Sequence, residues 1–333
     1  MRRLSILVTL ALAVGVALPA TLAGSAQAGR PLADASTSGE PVRACKGCPK
    51  PVPCKGCWQP AVESRWQIQL QGVKSFCKTG GIDTAVSARP YSGGPAVSPI
   101  VYAFDPFIDT GTCKRFDPGT LNRPAVEALH AQGIKVVGYV DAGTWEQWRT
   151  DQQRFVNFDE RCDGCLLGDA LSRYQDERWL NINDNKGQRD FLLRMMEARI
   201  RKVAKAGFDG VYFDNQDEFQ YATPFDISAK DQIMYLTRLL NLAHSHGLAA
   251  GPNNDLLQVE LFEPYADYMI NEQCFQYTEC FHMNPMITAG KPVFEIEYRP
   301  KTIETVCKKA ERRDYNTIRK TNDLYDYPWR PCR

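Results

Sequence analysis

Residues 192–214 read LLRMMEARIRKVAKAGFDGVYFD and contain one complete helix–stop–strand unit. Leu192, Met196, Ile200 and Val203 recur at helical spacing and give one apolar face. Gly207 follows the stripe, where a helix end favours a residue able to turn left-handed. Gly210–Phe213 is then a short apolar run suited to a buried strand, and Asp214 closes it. The same order recurs around Gly133, Gly247 and Gly290. Ser228 and Asp231 have capping-box spacing ahead of the stripe Ile233, Leu236, Leu240 and Ala243, and Pro124 marks another helix start.

Nine strands are predicted in all: 66–70, 100–104, 135–140, 179–182, 210–213, 248–250, 268–270, 293–296 and 317–320. Helices alternating with strands predict a parallel sheet, and one (β/α)8 TIM-like barrel over residues 61–333 fits best, with one strand too many. A doubly wound open sheet is the alternative. No glycine-rich phosphate turn follows the first strand, which weakens its nucleotide-binding form.

Ahead of the barrel, Arg2 and Arg3 precede an apolar run from Leu4 to Leu18 and an Ala26-Gln27-Ala28 cleavage site. Residues 1–28 therefore read as a signal peptide rather than a membrane anchor, since the run is short and is followed by Pro19. A secreted, extracellular protein is expected. Residues 29–60 read as a Cys/Pro/Gly-rich linker or arm. It carries Cys45-Lys-Gly-Cys48 and Cys54-Lys-Gly-Cys57, whose spacing suits either a zinc site or tight local disulfides. Twelve cysteines, all beyond the leader, favour disulfides in an oxidising compartment.

The chain of 333 residues carries 40 Lys+Arg against 39 Asp+Glu, a net charge of +1. That balance offers nucleic acid and anionic membranes no electrostatic footing. The sequence lacks GxSxG, HExxH and P-loop motifs, and four histidines support no His-based site; His244 and His246 fall on different helix faces. Asp214-Asn-Gln-Asp217-Glu218 lacks the alternation of an EF-hand. What remains is carboxylate chemistry.

Acids stand at five strand ends, Asp105, Asp141, Asp214, Glu272 and Glu297, with Asp217 and Glu218 just beyond. In a βα barrel those ends form the active face. Helix capping is the structural alternative and suits Asp141 and Asp217. Tyr139, Trp145, Trp148, Trp179, Phe219, Tyr221 and Tyr298 are interleaved with the acids. Acids beside aromatic planes suit a carbohydrate cleft, because sugar rings present apolar CH faces.

DGVYFDNQDEF (209–219), INEQCFQYTEC (270–280) and KPVFEIEY (291–298) together resemble glycoside hydrolase family 114, the endo-α-1,4-polygalactosaminidases. WQIQL (66–70), VYAFDPF (101–107), VVGYVDAGTWEQWR (136–149) and ERWLNI (177–182) match in order, so the similarity spans about 65–330. The resemblance implies a secreted endo-glycosidase on α-1,4-linked galactosamine-containing polysaccharide, and a monomer without a cofactor is expected. Its catalytic carboxylates fall on Asp214 and Glu272, Asp214 as the nucleophile of a retaining mechanism and Glu272 as acid and then base. Such a pair must converge to about 5–5.5 Å.

Asp105, Tyr139, Asn215, Asp217 and Tyr298 fall at motif positions and, with Trp179, form the expected substrate-binding set. A polymer of free galactosamine is cationic and suits an acidic mouth. The chain departs from the family pattern at Asn181, where the family has Asp, and at Asn253-Asn254, where it has Lys-Asn. Cys274 and Cys280 match the family as a bridge; Cys77–Cys113, Cys307–Cys332 and Cys162–Cys165 are further candidate pairs, which sequence alone does not fix. The alternative function is a secreted carbohydrate-binding barrel that does not cut.

Overall fold

The computed structural model describes residues 45–298 and 302–333. The expected signal peptide and residues 29–44 of the expected arm lie outside the described residues.

Eight parallel strands form the scaffold: β1 (Trp66–Gln69), β2 (Val101–Phe104), β3 (Lys135–Asp141), β7 (Gly210–Asp214), β8 (Ala249–Pro252), β9 (Met269–Glu272), β10 (Val293–Glu297) and β11 (Asn316–Arg319). Between β3 and β7 the chain adds β4 (Thr144–Glu146), β5 (Leu167–Ala170) and β6 (Glu177–Leu180), and β12 (Arg330–Pro331) pairs antiparallel with β11. The helices are α1 (Arg123–His130), α2 (Gln152–Arg161), α3 (Gln188–Ala206), α4 (Ala229–Ser245), α5 (Val259–Phe262), α6 (Cys274–Tyr277), α7 (Asn284–Thr288) and α8 (Ile303–Glu311).

The parallel strands run in two hydrogen-bonded arcs, β1-β2-β3-β7-β8 and β9-β10-β11. A parallel bridge between Asn253 and Ile270 joins them on one side. At the other seam side chains do the joining: Trp66 Nε1 donates to the Asn316 carbonyl (2.6 Å) and the Ser64 amide donates to Asn316 Oδ1 (3.0 Å). The result is a TIM-like barrel.

The surplus strand is the one predicted at 179–182. It is no barrel strand: β6 lies antiparallel between β4 and β5 in a separate three-stranded sheet. The cause is that both edges of β3 are already taken. Its residues pair with β2 on one side and, from Val137–Gly210 to Asp141–Asp214, with β7 on the other.

Alternation along each strand divides the core into two layers. Trp66, Ile68, Val101, Ala103, Val137, Tyr212, Ile270, Phe294 and Ile296 pack inside the barrel. Tyr102, Phe104, Val136, Val211 and Phe213 face the helices, where they meet the fully buried stripe Leu192, Met196, Ile200 and Val203 of α3. Each of those four side chains contributes roughly 1.5–3 kcal/mol. Gly207 ends α3 at φ 93°, and Ser228 and Asp231 form a reciprocal capping box on α4.

All twelve cysteines pair: 45–48, 54–57, 77–113, 162–165, 274–280 and 307–332. Each CxxC closes on itself, leaving no thiolate of that arm for zinc. The arm is docked on α4, where Asn241 exchanges hydrogen bonds with the Val52 amide (2.8 Å) and the Lys50 carbonyl (2.9 Å). Among the described residues no helix is long and apolar enough to cross a membrane.

Candidate active site

Strands β3, β7, β9 and β10 extend a residue or two beyond their predicted ends, so that Asp141, Asp214, Glu272 and Glu297 are each the last residue of a strand. Asp214 and Glu272 flank β8, and Asn253 stands just beyond β8 between them. Its Nδ2 donates to Asp214 Oδ1 (2.7 Å) and to Glu272 Oε1 (3.0 Å). Those two oxygens therefore lie within the sum of the two distances, about 5.7 Å. Two carboxyls 58 positions apart in the chain thus share one amide nitrogen.

Further donors fix each acid. The Asn215 amide donates to Asp214 Oδ1 (2.8 Å), from a residue turned left-handed at φ 55°. The Asn215 side chain donates to Asp141 Oδ2 (2.8 Å), as does the Tyr139 hydroxyl (3.2 Å). Room for this turn comes from Gly143, where a Cβ would stand 1.8 Å from the Asn215 carbonyl oxygen. Across the site, the Tyr298 hydroxyl donates to Glu272 Oε2 (2.6 Å) and the Glu272 amide donates to Asn254 Oδ1 (3.0 Å).

Burial raises the pKa of both acids, and for Glu272 the charge of Asp214 raises it further. Opposing this, Asp214 is held down by hydrogen bonds from Asn253 and the Asn215 amide, and Glu272 by those of Tyr298 and Asn253. The neighbours titrate high as well. Asp217 is pushed up to about 7 by burial and Asp214, Asp141 to about 8 by burial and Glu146, and Glu177 to about 9 by burial and Asp141. Several acids crowded into a low-dielectric mouth cannot all ionise, so protons are shared among them.

The expected substrate-binding residues separate into two groups. Asp105, Tyr139, Asn215, Asp217 and Tyr298 all line one cleft of about 1300 Å³ with Asp214 and Glu272. Trp179 does not line it. It sits on β6, only 4 % exposed, with the Tyr221 ring stacked on it at 5.5 Å. Tyr221 takes the cleft face instead, and its hydroxyl donates to Asp217 Oδ2 (3.2 Å).

The capping alternative also divides. Asp141 Oδ1 accepts from the Gly143 and Thr144 amides, and Glu297 accepts from the Phe275 and Gln276 amides of α6, just after Glu272. Asp217 makes no such cap.

Of the lining residues outside the sequence-predicted set, three bear directly on the acids. Asn253 ends a predicted βα unit as the acids do, and that position was the available signal. Arg149 lies in the VVGYVDAGTWEQWR segment, and its guanidinium bonds Asp105 (2.8 Å) and Glu146 (2.6 Å). Glu177 begins an antiparallel strand and opens the ERWLNI segment, which was its signal. Among the described residues no group of three or more His, Cys, Asp or Glu side chains is arranged to hold a metal ion.

The model of glycoside-hydrolase family GH114 matches residues 51–333. The chain belongs to that family. As a GH114 member it is a glycoside hydrolase, and its solved relatives agree in fold. The crystal structure of Ega3 from Aspergillus fumigatus in complex with galactosamine is 27 % identical, with a TM-score of 0.66 over 83 % of this chain and 98 % of that one. The glycoside hydrolase domain of PelA from Pseudomonas aeruginosa is 14 % identical, with a TM-score of 0.51 over 81 % of this chain and 98 % of that one. No curated protein sequence matches the chain.

Proposed function

We propose that this GH114 enzyme is a secreted, monomeric, retaining endo-glycosidase that hydrolyses α-1,4-linked galactosamine-containing polysaccharide. The observation that carries the reading is the Asn253 clamp, which holds oxygens of Asp214 and Glu272 within about 5.7 Å. Oxygens that close suit a nucleophile and an acid sharing one anomeric carbon. In this reading Asp214 is the ionised member of the pair and attacks the anomeric carbon. Glu272 holds the proton, gives it to the leaving oxygen, and then takes one from the water that cleaves the glycosyl-enzyme ester. The galactosamine bound to Ega3 supports the sugar class. Six disulfides suit an oxidising, extracellular destination.

The deciding experiment follows the anomer released at early times from polygalactosamine by NMR. An α product with new reducing ends in mid-chain is expected; a β product refutes retention, and binding without cleavage favours the carbohydrate-binding alternative.

The competent form has Asp214 ionised and Glu272 protonated, so kcat/KM rises as the first proton leaves the pair and falls as the second leaves. Both limbs stand above ordinary carboxylate values because burial raises both acids. The Tyr298 hydroxyl favours ionised Glu272. Tyr298→Phe therefore moves the falling limb to higher pH, and a limb that stays or moves down in the kcat/KM profile refutes this assignment.

A further inference from the structure

Alternation along β10 turns Phe294 and Ile296 into the barrel and Glu295 and Glu297 to the opposite face. Both acids are fully buried, and neither lines the cleft. Glu297 Oε1 accepts from the Phe275 amide (2.9 Å) and the Gln276 amide (3.3 Å). Among the described residues no N–H or hydroxyl reaches the other oxygen of Glu297 or either oxygen of Glu295. Two such carboxyls on one strand face, with no cation beside them, cannot both be charged. Burial and the charge of Glu297 push Glu295 well above the usual carboxylate range. Burial raises Glu297 too, but hydrogen bonds from Glu295 and from the two amides oppose it. Glu295 therefore keeps a proton and turns it toward Glu297, which is the carboxylate that the amides bind.

What Glu297 holds is the turn that follows Glu272. Gln273 is left-handed at φ 65°, a conformation that a residue with a Cβ keeps only where its surroundings impose it. Its amide donates to the Ile296 carbonyl (2.7 Å), and the next two bonds of the turn end on Glu297. The Cys274–Cys280 bridge closes the loop on itself, so these three hydrogen bonds fasten its first turn to β10. On the other side of Glu297, Tyr298 reaches the cleft and donates to Glu272 Oε2 (2.6 Å). Glu297 thus stands between the two supports of Glu272, the turn that continues its main chain and the hydroxyl that meets its carboxyl.

A general acid works only within hydrogen-bond reach of the oxygen it protonates, and a displacement of 1 Å can cost about 10²-fold in rate. We infer that Glu297 is a positioning residue for the general acid: it anchors the 273–276 turn so that Glu272 faces the leaving oxygen, and Glu295 holds Glu297 in place through the proton the two share. This deepens, and rests on, the reading of Glu272 as the acid of a glycosidase.

The test measures kcat/KM on two α-linked galactosamine oligomers, one with a sugar leaving group and one with an aryl group that departs without protonation. Because kcat/KM reads the steps up to the first bond cleavage, the aryl substrate bypasses the acid. Glu297→Asp withdraws the carboxylate by one methylene and keeps its charge, whereas Glu297→Met removes the acceptor. They should lower kcat/KM on the sugar leaving group about 10-fold and about 100-fold, and leave the aryl substrate within about twofold of wild type. Glu297→Gln keeps an acceptor oxygen for the two amides and should restore most of the lost rate. Glu295→Gln, a permanently neutral donor, should match wild type, and a loss as large as that of Glu297→Asp overturns the shared proton. If Glu297→Met does not fold, Glu297→Asp against Glu297→Gln carries the same contrast. Equal losses on both substrates in Glu297→Asp, or wild-type values on both, overturn the positioning role and leave the hydrolase reading standing. Wild type that cleaves neither substrate overturns that reading and the inference with it.

Discussion

Asp214→Asn is expected to lower kcat on polygalactosamine by about four orders of magnitude or more, with the protein still folded and still binding the polymer. The carboxylate is the atom donor of the covalent intermediate, and an amide cannot form that ester. The replacement is nearly isosteric, so Asn253 and Asn215 keep a partner of the same shape. Glu272→Gln should cost about 10²–10⁴, the ordinary range for removing a general acid, because it leaves the nucleophile in place. A substrate whose leaving group needs no protonation should recover much of the first step in Glu272→Gln and nothing in Asp214→Asn. Full activity in either variant, measured as new reducing ends, would remove that residue from the mechanism. Recovery by the activated substrate in Asp214→Asn would reverse the assigned roles.

The second large effect is on stability. Arg199 is 4 % exposed on α3, and its guanidinium meets Asp151 (2.9 Å), Glu146 (3.5 Å) and the Asp141 carbonyl (3.1 Å). Arg199→Met keeps the length of the stem and removes the charge, leaving a carboxylate that is 1 % exposed with half its compensation. Breaking one side of a buried network costs about 3–5 kcal/mol, which corresponds to a fall in Tm on the order of 10 °C. Thermal and urea unfolding would check it. A variant as stable as wild type would mean the network is hydrated and cheap to break.

Much of this molecule is legible from local pattern. The α3 stripe, its glycine stop and the capping box of α4 are properties of a few consecutive residues, because helical and strand periods and cap hydrogen bonds act over one or two turns. They place eight parallel strands and put Asp214 and Glu272 at strand ends, where the DGVYFD and NEQC segments also point. Trp179 shows where that reasoning stops. WLNI has the apolar look of a barrel strand, yet β3 has no free edge to receive it, and edge occupancy is set by β2 and β7 rather than by residues 179–182.

By itself, then, the order of residues determined the βα repeat, the cysteine-rich arm and the acids on the mouth. Tertiary structure alone decided which acids meet. It brought Asn253 between two carboxyls, laid Tyr221 over Trp179, and matched Asp105, Glu146 and Asp151 with Arg149 and Arg199 while leaving Asp217 unmatched. The reason is range: dihedral preference and hydrogen-bonded turns are decided between chain neighbours, whereas charge compensation and proton sharing depend on distances across the barrel mouth.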